Sequence, residues 1–213
     1  MNVATKMEDD VRTAGVDYFN PDDYLLSTLR RAAANNQDVL LEVAGLGELL
    51  MLSSRCEYFA FVTDMAAFLT TPPDEVKLTI LAAGDPRIAS TDMIGRNLDE
   101  LMWQAAFHAS QGRLMRGCYR DDVVELEYWP NLSRLPQTPQ SMRIAALLTR
   151  HPTSIYFAMR LLKVTPEEMY QFYSAARAAG LARPINRKPE EPKLEPHRNQ
   201  GLLSSLLSKI ARL

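Results

Sequence analysis

Val164-Thr165-Pro166-Glu167-Glu168-Met169-Tyr170-Gln171-Phe172-Tyr173-Ser174-Ala175-Ala176-Arg177-Ala178-Ala179-Gly180 is the most legible stretch of this chain. Thr165 followed three residues later by Glu168 is a capping box: the hydroxyl accepts an early helical N–H and the carboxylate can reach back to the cap. Pro166 stands at the first helical position, where its missing N–H is no loss. Val164 and Met169 make a hydrophobic staple across the start. Met169, Phe172, Tyr173, Ala176 and Ala179 then recur on one face, and Gly180 supplies the stop. The segment predicts a helix with one buried stripe.

Two more helical patterns precede it. Thr138-Pro139 opens one that contains Met142, Ala145 and Leu148 and closes at His151-Pro152; Thr153 or Ser154 caps the next, with Ala158, Leu161 and Leu162 inside. Short helices, the small Ala158 in the second, and the Val164-to-Gly180 unit closing on Ala178-Ala179-Gly180-Leu181 resemble the helix-turn-helix core of the winged-helix superfamily. The resemblance implies a third helix that lies in the DNA major groove. Its solvent side would carry Gln171 and Ser174 with Arg177 flanking, and Arg150 and Lys163 add positive charge, so these five residues are the nucleic-acid candidates. Glu167 and Glu168 stand at the end that would meet phosphates. Pro184 and Pro189 fall where two wing strands would run. The module, residues 136–183, therefore reads as wingless and better suited to a protein partner than to DNA.

Upstream, residues 1–20 are polar and expected to be mobile, and residues 21–135 read as an α+β domain. Asn20-Pro21-Asp22-Asp23 signals a helix start, with Leu25, Leu26, Leu29 and Ala33 as its buried stripe. Apolar runs at 39–43, 48–52 and 57–62, broken at Gly45-Leu46-Gly47, predict antiparallel strands. Helices are expected at 64–69, 73–82 and 98–110, and a half-exposed strand at 121–128. The fold class is thus α+β: an N-terminal mixed domain with a small antiparallel sheet, then a three-helix helix-turn-helix-like module.

Residues 184–200 form a Pro-rich charged linker that cannot build a core. Beyond it, residues 201–213 place Leu202, Leu203, Leu206, Leu207, Ile210 and Leu213 on one helical face and Ser, Lys and Arg on the other. Thirteen residues do not hold a helix alone. This tail is expected to order against a protein partner's groove; folding back on the body and peripheral membrane contact are the other readings. Charge divides along the same line: residues 1–137 carry 12 Lys/Arg against 21 Asp/Glu, and residues 138–213 carry 12 against 5.

Signatures of chemistry are sparse. His108, His151 and His197 stand at no ligand spacing, and Cys56 and Cys118 make no zinc pattern, so no metal and no cofactor is expected. Gly45-Leu46-Gly47 is followed by Leu50 where a dinucleotide motif needs glycine. Arg116-Gly117-Cys118-Tyr119-Arg120 with Asn131-Leu132-Ser133 resembles the arginine and serine elements of PilZ-type cyclic di-GMP receptors, with Pro136 in place of a glycine, and makes Arg116 and Arg120 the nucleotide-binding candidates. With no leader and no window approaching the ~18 apolar residues of a spanning helix, the cytoplasm is the expected compartment. The whole implies a non-enzymatic regulatory or adaptor protein; a DNA-binding transcription regulator and a ligand- or nucleotide-sensing domain are the alternatives.

Overall fold

The computed structural model describes residues 15–89 and 94–186 and has an α+β fold. The chain enters through β1 (Tyr18–Phe19), which runs parallel to β7 (Leu114–Met115). Residues 17–19 thus depart from the expected mobile lead-in, because Phe19 is buried in the core. Asn20 caps only a short 3-10 turn, Pro21–Asp23; α1 (Leu25–Ala34) starts after it and buries Leu25, Leu26 and Leu29. The apolar runs form β2 (Val39–Val43), β3 (Gly47–Leu52) and β4 (Glu57–Val62), a meander as expected. Gly47 is required at the hairpin: its φ is +117°, and a Cβ there would lie 2.1 Å from the Phe61 carbonyl oxygen.

α2 (Met65–Thr70) follows, its start capped by Asp64, which accepts the Ala67 N–H at 3.0 Å. The helix expected at 73–82 is not formed. A 3-10 turn, Pro73–Glu75, leads instead into β5 (Lys77–Ile80), antiparallel to β2. Pro73-Asp74-Glu75 mimics a helix start, but Val76, Leu78 and Ile80 alternate with polar neighbours at the strand period of two. With β6 (Arg96–Asn97) the sheet order is β5-β2-β3-β4-β6. One face, through Val39, Leu41, Leu49, Met51 and Tyr58, meets the main core; the other buries Leu40, Leu50, Leu52 and Phe59 beneath Leu81 and Ile88, the latter on the short helix α3 (Pro86–Ala89).

α4 (Leu98–Ser110) is the central element, buried almost all round, with the small residues Ala105, Ala106, Ala109 and Ser110 fully enclosed. β8 (Val123–Leu126) then precedes the three-helix unit: α5 (Ser141–Arg150), β9 (Thr153–Ser154), α6 (Ile155–Leu162), α7 (Pro166–Ala178) and β10 (Ala182–Pro184). Ser154 caps α6 by accepting the Phe157 N–H at 3.2 Å, and Thr165 caps α7 by accepting the Glu168 N–H at 3.3 Å. β8 is the centre of a three-stranded antiparallel sheet, β10-β8-β9. A strand therefore forms at 182–184 where the prolines had argued against one; Pro184 is tolerated because β10 is an edge. The sheet also crosses the boundary expected near residue 135, and a single core cluster runs from Phe19 through Trp103 to Phe172 and Ala182.

Candidate functional site

α7 packs against α4, and three of its polar side chains bond into the body. Gln171 donates its side-chain amide to the Phe107 carbonyl at 3.0 Å, and Ser174, fully buried, accepts the Met115 N–H at 3.0 Å. Tyr173 donates to the buried Asp122 carboxylate at 2.8 Å, and Phe172 meets Trp103 edge-on at 5.4 Å. Glu167 lies over Gly112 so closely that a Cβ on that glycine would fall 2.9 Å from its side chain. The helix that the resemblance would place in a DNA groove thus faces α4; Ser174 has no surface from which to read bases, and the half-buried Gln171 spends its amide on Phe107. Of the other nucleic-acid candidates, Arg150 and Lys163 are exposed and Arg177 is half-buried near Arg30.

α6 turns an apolar face to solvent. Ile155, Ala158 and Met159 turn inward at the i, i+3, i+4 spacing, while Tyr156, Phe157 and Leu161 stand 46%, 56% and 55% exposed. Two guanidiniums flank Tyr156: Arg120 lies 5.0 Å and Arg160 5.8 Å from its ring centroid, distances at which the ring quadrupole attracts a cation. At the helix C-terminus Lys163 adopts the left-handed conformation, and Arg143 donates to the Leu162 carbonyl at 3.0 Å. Cations at that end are favoured by the partial negative charge of the last carbonyls. From Thr138 through Pro166 the chain has no Asp or Glu, so Arg143, Arg150, Arg160 and Lys163 are unopposed by any acid of their own segment. The result is an apolar and aromatic ridge in a basic setting.

Arg116 and Arg120 are not brought into one site. Arg116 is exposed, whereas Arg120 borders a hollow of about 260 Å³ with Asp17, Arg113, Glu167 and Tyr170. Two cations against two carboxylates leave that hollow with no preference for a phosphate. Ser133 donates to Asn131 in a loop whose Arg134 reaches Glu100 at 3.6 Å. The Tyr18 hydroxyl and the Arg120 Nε are buried without a hydrogen-bond partner among the described residues; burial pushes the Tyr18 phenol up to about 12. Burial also lowers the pKa of His108, which packs on Phe107.

No group of His, Cys, Asp and Glu able to hold a metal occurs among the described residues, and no helix among them is long and apolar enough to cross a membrane. The leucines of 201–213 lie outside the described residues. Comparison of the chain with protein-family models, with curated proteins and with solved structures finds no match. Sequence reasoning missed the α6 ridge because Phe157 and Leu161 are as apolar as the buried Ile155 and Met159. The one available signal was the acid-free run around them.

Proposed function

We propose that this chain is a non-enzymatic regulatory or adaptor protein of the cytoplasm that holds an acidic, amphipathic segment of a partner protein on α6. The observation that carries the reading is the contrast within the three-helix unit: α7 bonds Gln171, Tyr173 and Ser174 into the body, and α6 offers Tyr156, Phe157 and Leu161 to solvent among cations that meet no acid of their own segment. Phe157 and Leu161 are i, i+4 neighbours, the spacing at which one helix anchors another. Arginine and aromatic side chains together are the composition of binding hot spots. The amphipathic peptide 201–213 supplies a second, tethered contact in this reading.

The test places a photo-crosslinking amino acid at position 157 of the full chain in native cell extract with nuclease present. The expected product is a crosslink to an acidic, amphipathic protein segment, lost when Leu161 is replaced by Asp in the same chain. Crosslinking to nucleic acid, or a protein adduct indifferent to Leu161→Asp, overturns the proposal.

A further inference from the structure

The two edges of the five-stranded sheet differ. At one edge β6 is two residues long and runs directly into α4, so it offers no length for pairing. At the other edge no strand of the described residues lies beyond β5. Leu78 and Ile80 point to the face that carries the main core but stand 44% and 58% exposed. Their backbone groups also face out. Leu81 donates to the Asp38 carbonyl at 2.8 Å, and in an antiparallel ladder hydrogen-bonded and non-hydrogen-bonded pairs alternate. Thr79 and Lys77 therefore bond to β2, while the N–H and C=O groups of Leu78 and Ile80 turn to the open side.

We infer that β5 pairs with β5 of a second copy of this chain, antiparallel about a two-fold axis at Leu78, joining two five-stranded sheets. The sequence of the strand selects this occupant. With Leu78 opposite its own counterpart, the outward amide and carbonyl of each leucine exchange both hydrogen bonds. Val76 then faces Ile80 in both directions, so one side of the junction is wholly apolar. On the other side Lys77 faces Thr79 with no like charges opposed, and the Lys77 ammonium stays on Glu42, 2.7 Å away within its own copy. A shift by one residue would bring the inward-bonded groups of Thr79 to the axis and put the apolar side chains on opposite faces. A five-residue contact buries less than the ~1,000 Å² of a stable interface, so the association is weak.

Sedimentation of the full chain over a concentration series reaching about 100 µM should show reversible dimer formation, the range set by the small interface. Ile80→Lys and Leu78→Pro should each weaken it by about tenfold or more, with unchanged circular dichroism. Ile80→Lys lies on the surface and keeps the test valid where Leu78→Pro fails to fold. Register is read in a Cys56→Ser background: Leu78→Cys should crosslink to itself, and Ile80→Cys should crosslink to Val76→Cys but not to itself. A monomer throughout, a dimer indifferent to Ile80→Lys, or self-crosslinking of Ile80→Cys matching that of Leu78→Cys overturns the inference.

Discussion

α6 and α7 are neighbours in one three-helix unit, each capped by a hydroxyl, yet their relations to solvent are opposite. α7 carries Glu167, Glu168, Gln171, Ser174 and Arg177 and still buries Ser174, Ala175 and Ala176 completely. α6, with Arg160 as its sole charged residue, leaves two aromatic residues and a leucine half exposed. Hydrophobicity alone ranks the two helices the wrong way round. What differs is side-chain size: α4 and α7, which pack together, bury the small Ala105, Ala106, Ala109 and Ser110 and Ser174, Ala175 and Ala176 completely, and nothing as small lines the outer side of α6.

The sharpest way to break this comparison is to truncate one phenylalanine on each helix. Phe172→Ala should cost about 3–5 kcal/mol in urea unfolding, since it empties a site bounded by Trp103, whereas Phe157→Ala should stay within about 0.5 kcal/mol. Equal effects would mean that α6 is covered or that α7 is not. Next in size, Ser174→Ala should cost about 1–3 kcal/mol, because the Met115 N–H is left buried without an acceptor. The smallest effect concerns Tyr18, whose phenol burial beside Tyr170 of α7 raises to about 12. The unfolded phenol ionises near the ordinary value of 10.0, so this contribution to stability is complete below that pH and is lost as pH rises toward 12. Tyr18→Phe should flatten that alkaline part of the unfolding profile, and an unchanged slope would place the phenol in contact with water.

Much of the frame was legible from the residues. The β2–β4 meander, α4 and the three helices of the C-terminal unit followed from periodicity, glycine breaks and caps. The two- and three-residue strands β1, β6, β7, β9 and β10 were not legible, since nothing local favours them and they exist only where tertiary packing brings them alongside a partner. β5 was misread because its lead-in carries the proline and acids of a helix start, and only pairing with β2 resolves the ambiguity. Of the candidate site residues, Gln171 and Ser174 were placed on the polar side of α7 correctly in geometry but not in environment. A helical wheel separates faces; it does not say what covers each of them.

β8 leaves the ribosome well before β9 and β10, and the last residue that pairs with Leu126 is Ala182. At about 5–20 residues per second of synthesis, the middle strand of that sheet waits several seconds with both flanks unpaired. A gene fragment beginning at residue 136 would supply the flanks and lose the middle. Translation order therefore makes the β10-β8-β9 sheet the last part of the described fold to be completed.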